Sequence, residues 1–209
     1  MARSFACALA IVLAGCASGP AGEAATGFIS PQLAAAYLPL AHARFPVATA
    51  RGAALVIAPS IAVTNAHNAN LLAAADIVGE SKDYDLLFFR APGAATESFV
   101  APRPQEAVLA YGQGEGGRLH IARGVVVASD VAVPPRCAGC AVQHAFIFQG
   151  DAGKGFSGGP VVDASDGRVL GIVFGFSDPY SDPPRRLVYA YDMKHVDAEW
   201  AVVRARLPH

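Results

Sequence analysis

The sequence predicts an all-β chain closed by one amphipathic helix, and three observations carry that expectation. Eight short segments rich in β-branched or aromatic residues are each bounded by Gly, Pro, Asp or Ser. The 21 glycines and 15 prolines supply the tight turns that many short strands require. After Asp192 the apolar residues switch to intervals of three and four, the period of a helix that buries one face.

Composition sets the outer limits. At 209 residues the chain has room for one domain or two small joined halves, given roughly 100–200 residues per domain. Hydrophobic residues reach 53% and charged residues only 16%, so a real core can form and a disordered, solvating chain is excluded. The 16 Lys and Arg against 17 Asp and Glu leave a formal net charge of -1, with no basic cluster beyond Arg185-Arg186. Nucleic acid is therefore not an expected partner.

At the amino terminus, Met1-Ala2-Arg3-Ser4 precedes an uncharged apolar run from Phe5 to Ala14. A positive start followed by a run shorter than the roughly 20 residues of a membrane span is the pattern of an export signal. Leu13-Ala14-Gly15-Cys16 resembles the bacterial lipobox, which implies cleavage ahead of Cys16 and a lipid on that residue. The competing reading is an ordinary signal cleaved near Ala21 to Ala25, with Cys16 discarded. Both readings place the protein in the cell envelope or periplasm, and lipid anchoring to a membrane is the favoured one. Cys137 and Cys140 remain as an even pair and read as a short-loop disulfide suited to an oxidising compartment. A redox-active pair wants a helix start, which Pro134-Pro135 opposes, and a zinc site with His144 lacks a fourth ligand at suitable spacing.

Residues 17–30 are small and polar and read as a tether. Leu33, Tyr37, Leu38 and Leu40 give Pro31 to Arg44 a helical spacing, interrupted by Pro39, so a short helix is expected there. Strands follow at 53–57, 61–64, 86–89, 108–111, 124–127, 145–148, 169–173 and 187–191. Met193, Val196, Trp200, Val203 and Leu207 mark the inner face of the closing helix.

The chemistry concentrates at Gly155-Phe156-Ser157-Gly158-Gly159-Pro160. A serine hydroxyl is a weak nucleophile; it needs a base for its proton and donors for the oxyanion formed on the attacked carbonyl. Flanking glycines allow the tight turn that exposes the hydroxyl and gathers the amides of Gly155 and Ser157. Upstream, Ile61-Ala-Val-Thr-Asn-Ala-His67 puts a histidine just after a strand, and Asp83-Tyr84-Asp85-Leu86-Leu87 puts carboxylates just before another. A neutral imidazole can accept the serine proton while a carboxylate on its other nitrogen holds the tautomer. Asp85 is the first candidate for that acid and Asp83 the second.

Strand-Thr-x-Ala-His, then Asp-Leu-Leu, then Gly-x-Ser-Gly-Gly-Pro, in that order, resembles the trypsin/chymotrypsin superfamily of serine peptidases, especially its compact bacterial branch. The resemblance spans about residues 50–205. It implies two six-stranded antiparallel β-barrels with the active site between them, divided as 51–112 and 113–209 after a signal at 1–15 and a tether with a helical segment at 16–50. It also implies Ser157 as nucleophile, His67 as general base and acid, Asp85 as the orienting acid, and Gly155 with Ser157 as the oxyanion hole. Peptide or protein substrates are expected, and no metal or organic cofactor. Asp151 falls where trypsin-type enzymes carry the acid of the specificity pocket, with Phe174, Gly175 and Phe176 on the other wall, which invites a basic residue before the scissile bond.

Three departures qualify the resemblance. His67 and Asp85 are only 18 positions apart, so the first barrel must lack loop or strand material. Phe156 stands where zymogens of the family hold an aspartate that pairs with a freed amino terminus, so the enzyme is expected to be competent without that cleavage. Asp151 lacks the surrounding cysteine framework of trypsin. Two other readings compete. A Gly-x-Ser-x-Gly elbow with His195 would suggest an esterase, but Pro160-Val161-Val162 continues extended where that fold needs a helix. A catalytically silent lipoprotein that binds peptides or envelope proteins is the remaining alternative. An imidazole base works only when neutral, so activity is expected to rise from acid toward neutral pH.

Overall fold

The computed structural model describes residues 21–44, 48–95, 99–135, 137–178 and 186–207. The export signal and Cys16 lie outside these residues. Two antiparallel sheets make up the fold. The first is five-stranded, in the order β2 (Tyr37–Arg44), β3 (Ala48–Ala58), β4 (Ile61–Thr64), β6 (Leu87–Arg90) and β5 (Ile77–Glu80). The second joins β7 (Ala107–Gln113), β8 (Leu119–Val133), β9 (Gln143–Gly150), β10 (Pro160–Asp163), β11 (Val169–Ser177) and β12 (Leu187–Asp192). It closes as a six-stranded barrel because the 15-residue β8 pairs with β7 along one half and β9 along the other. A two-residue strand β1 (Glu23–Ala24) extends the barrel by pairing with β8 at Ile121 and His120.

Three elements differ from the sequence expectation. Helix α1 is confined to Pro31–Ala36, capped by Ser30, whose hydroxyl accepts from the Leu33 N–H at 3.1 Å, with Pro31 in its first turn. From Tyr37 the chain is the strand β2, and Pro39 is tolerated there because β2 is an edge strand. Second, β7 already belongs to the barrel, so the first sheet runs from Tyr37 to Arg90 and the division expected at residue 112 moves upstream. Third, among the described residues the first sheet has five strands where the resemblance implied six. Between His67 and Asp85 there is room for two short 3-10 turns and the four residues of β5.

One buried cluster runs across both sheets, with Leu55, Val63, Leu87 and Phe88 from the first and Tyr111, Ile121, Ile172 and Tyr191 from the second. A separate cluster fills the barrel around Phe146, Phe148, Phe156, Leu170 and Val173. Helix α2 (Met193–Arg204) begins at Asp192, whose carboxylate accepts from the Lys194 N–H at 2.9 Å. Helix α2 stays against β11 and β12 of the barrel and also reaches the first sheet: Trp200 lies against Phe88, with ring centres 5.3 Å apart, and Glu199 accepts from the Ser81 hydroxyl at 2.7 Å. His195 stacks on Tyr84 and its Nδ1 lies 3.3 Å from the Tyr84 hydroxyl.

Burial, aided by the Lys194 ammonium, lowers the His195 pKa against the weaker opposing pull of Asp192 and Asp130. The unfolded chain then takes up a proton more readily than the folded one, so stability is intact above the ordinary histidine range and is lost as pH falls through it. His195→Gln should flatten the decline in Tm between about pH 7 and pH 5; an unchanged slope would remove His195 from the account.

Candidate active site

His67 lies in a 3-10 turn, Ala66–Leu71, that starts directly after β4, and Asp85 lies just before β6, which pairs with β4. Strand pairing therefore brings the two side chains together. His67 Nδ1 is 2.5 Å from Asp85 Oδ2, and the His67 backbone N–H donates to Asp85 Oδ1 at 3.1 Å. A carboxylate only accepts, so Nδ1 carries the hydrogen and the outward Nε2 of the neutral ring is an acceptor. His67 is half exposed, whereas the Asp85 side chain is only 15% exposed, which leaves the imidazole to face incoming molecules and the carboxylate to orient it. Asp83 is engaged elsewhere: its carboxylate accepts from the Ala141 N–H at 2.9 Å.

Ser157 and His67 line one cleft of about 620 Å³, together with Asn68, Gln113, Gly155 and Lys154. The Ser157 turn hangs between the two sheets. Its carbonyl accepts from the Ala53 N–H of β3 at 2.9 Å and from Asn68 Nδ2 at 3.1 Å. The Asn68 amide also donates to the Thr64 hydroxyl at 2.9 Å, which donates in turn to the Ala53 carbonyl at 2.7 Å. Gly155 has φ +92° and Gly158 φ +82°; a Cβ would overlap the Gln113 carbonyl at the first and the Ala53 carbonyl at the second. Among the described residues the Gly155 and Ser157 amides donate to no protein acceptor, and both residues border the cleft.

Phe156 anchors this turn. It is fully buried in the barrel core, between Gly22 and Gly112, where any Cβ would meet its ring at 2.9 Å or less. The chain before β1 thus lies against the Ser157 turn: the Gly22 N–H donates to the Asp151 carbonyl at 2.9 Å, and His120 Nδ1 lies 3.0 Å from the Ala21 carbonyl. An apolar ring occupies the position for which the resemblance invoked an ion pair.

The acid is held from the barrel. The Tyr191 hydroxyl accepts from the Asp85 N–H at 3.2 Å and donates to Gln143 Oε1 at 2.7 Å, while Gln143 Nε2 donates to the Asp83 carbonyl at 2.6 Å. Cys137 and Cys140 form a disulfide, and their loop abuts Lys82 and Asp83.

Asp151 is exposed and does not border the cleft of Ser157; its backbone carbonyl accepts from the Gly22 N–H. Phe174 stacks on Tyr191 with ring centres 4.0 Å apart, at the seam of the two sheets, and Phe176 lies under the Arg186 guanidinium. His195 sits on Tyr84, away from the cleft. Sequence reasoning missed Asn68, Gln113, Gln143 and Tyr191. Adjacency to His67 was the one available signal for Asn68; the others act through distant backbone atoms.

A family profile described as a trypsin-like peptidase domain matches residues 43–172. No curated protein matches the chain by sequence. Among solved structures, the Rv3671c protease from M. tuberculosis in its active form is 19% identical, with a TM-score of 0.65 over 86% of each chain. The MamO protease domain from Magnetospirillum magneticum is 14% identical, with a TM-score of 0.58 over 80% of this chain and 97% of that one. The HtrA-type protease AlgW, solved with a tripeptide, is 18% identical, with a TM-score of 0.59 over 83% of this chain and 60% of that one. At these identities the likeness establishes the chymotrypsin-like fold.

Tyr191→Phe removes the hydroxyl between Asp85 and Gln143. It should lower stability by about 1 kcal/mol and lower kcat roughly tenfold with little change in KM, as expected for loss of orientation at the reacting centre. A change in KM alone would contradict this role.

Proposed function

Because the chain belongs to the family of trypsin-like peptidase domains, we propose that it is a serine endopeptidase working through an acyl-enzyme. The observation that carries this reading is the His67–Asp85 pair at 2.5 Å, in a cleft shared with Ser157. His67 Nε2 takes the Ser157 hydroxyl proton as Oγ bonds to the substrate carbonyl carbon. The oxyanion is received by the Gly155 and Ser157 amides. As the scissile C–N bond breaks, the imidazolium returns the proton to the leaving amine, and Asp85 stabilises the charged ring throughout. Water then enters, gives a proton to His67 and bonds to the acyl carbon; as the bond to Ser157 Oγ breaks, the imidazolium returns that proton to Oγ, which releases the acid and restores Ser157. Asp151 has no part in this scheme.

The protein is proposed to act in the cell envelope, held by a lipid on Cys16. Ala21, a cleft-lining residue, is five Cα-to-Cα steps from Cys16, and that length of chain reaches at most about 18 Å. Such an anchor would keep the cleft near the membrane surface and favour envelope proteins as substrates. Cys16→Ala should move the protein from the membrane to the soluble envelope fraction; persistence in the membrane would exclude lipid anchoring through this residue.

Hydrolysis of quenched fluorescent peptides tests the mechanism. Ser157→Ala should reduce kcat by about 10^6-fold and Asp85→Asn by about 10^4-fold, with folding retained in both. Undiminished hydrolysis by Ser157→Ala would refute the assignment, and a folded wild type without turnover on any peptide would favour a binding lipoprotein.

A further inference from the structure

The Gly155 end of the serine turn has its own link to the first sheet. Gln113 closes β7, where pairing with Leu119 of β8 fixes its backbone in the barrel. Its N–H donates to the Gly155 carbonyl at 2.9 Å, and a Cβ on Gly155 would lie 1.9 Å from the Gln113 carbonyl oxygen. Contacts on both sides leave the two soft dihedrals of Gly155 little freedom. The direction of the Gly155 N–H therefore follows the position of Gln113.

The Gln113 side chain leaves the barrel and crosses to the first sheet. It is buried, and its Nε2 donates to the Leu40 carbonyl of β2 at 2.7 Å and to the Gly52 carbonyl of β3 at 2.5 Å. Leu40 and Gly52 face each other across the β2–β3 pairing. Two carbonyls at these distances require the NH2 end of the amide, because the reversed amide would set an oxygen against both. Among side chains of this length, Glu offers only acceptors when ionised, Met no donor, and Lys a charge that would be buried unpaired. Beside this bridge, Arg51 Nη1 donates to the Gly114 carbonyl at 3.2 Å, a second bond from β3 to the end of β7. The next residue of β3, Ala53, donates its N–H directly to the Ser157 carbonyl. Adjacent residues of one strand thus hold both ends of the turn, Gly52 through Gln113 and Ala53 without an intermediary.

We propose that Gln113 is a positioning residue for the oxyanion site, its side-chain amide keeping the Gly155 N–H in register with the Ser157 N–H. This rests on the serine-peptidase reading above, in which those two amides receive the oxyanion. Both Nε2 hydrogens are engaged by Leu40 and Gly52, so Gln113 donates nothing to the substrate from that nitrogen and acts through Gly155. Its contribution is felt where negative charge grows on the carbonyl oxygen, and not in binding of the ground state.

The test measures turnover of a quenched peptide and inhibition by a peptidyl trifluoromethyl ketone for wild type, Gln113→Met, Gln113→Asn and Val203→Ala, with Tm recorded for each. Ser157 Oγ adds to the ketone carbon and leaves an oxyanion on the former carbonyl oxygen, whereas the corresponding alcohol binds without bonding to Ser157. Met keeps the length of Gln but donates to neither carbonyl; Asn keeps the amide but is one methylene too short to reach both. Each should lower kcat by roughly tenfold or more, short of the roughly 10^2–10^3 for loss of a whole oxyanion donor, with KM unchanged. The ketone Ki should rise by the same factor, and the alcohol Ki should stay at the wild-type value. Val203 packs on Gly79 of β5, at the opposite edge of the first sheet from β2; Val203→Ala should lower Tm and leave kcat and both Ki values as in wild type. If Gln113→Met fails to fold, Gln113→Asn decides. A folded Gln113 variant with wild-type kcat and ketone Ki, a loss shared equally by KM and the alcohol, or an equal loss of kcat in Val203→Ala would overturn the proposal and leave the peptidase reading intact. A folded wild type that neither turns over peptides nor reacts with the ketone would overturn both.

Discussion

The arrangement depends on the grip of the first sheet on the Ser157 carbonyl. Ser157 and His67 arise on different sheets, 90 residues apart in sequence, and no single element can set the distance between them. Two donors, the Ala53 amide and the Asn68 side chain, converge on that one oxygen. Asn68 directly follows His67, so the group that holds the serine turn is attached to the turn that carries His67. Because Thr64 and Ala53 complete the same network at buried positions, loosening any member leaves buried polar groups short of partners.

The remaining supports act through backbone and packing. Positive φ at Gly155 and Gly158 permits a turn that other residues would strain, and Phe156 ties that turn to the barrel core. On the other side of the cleft, the Tyr191–Gln143 pair and the disulfide loop hold the segment Lys82–Asp85. The histidine side is built into the first sheet, while the serine turn and the brace on the acid come from the barrel. Contacts across the seam thus hold together the cleft that Ser157 and His67 share.

The main strands and the helix after Asp192 were legible because period-two and period-four patterns survive in a single sequence. His67, Asp85 and Ser157 stood out for a different reason: each borders a strand, and their order is informative jointly where each alone is ordinary. The strand β1 was not legible, since its pairing with β8 is made by main-chain groups in a stretch of small residues. Tyr37 to Arg44 was misleading, because leucines around a proline fit a helix face as well as an edge strand. Spacing from Ser157 drew attention to Asp151, yet spacing gives no side-chain direction.

The central claim is that His67, oriented by Asp85, activates Ser157. Its most direct test is covalent labelling of the folded, signal-free protein with a fluorophosphonate, followed by mass-spectrometric mapping of the adduct. The account predicts one adduct per chain, on Ser157, formed in the wild type and lost in His67→Ala. An adduct on another residue, equal labelling of His67→Ala, or no adduct on the folded wild type would contradict it.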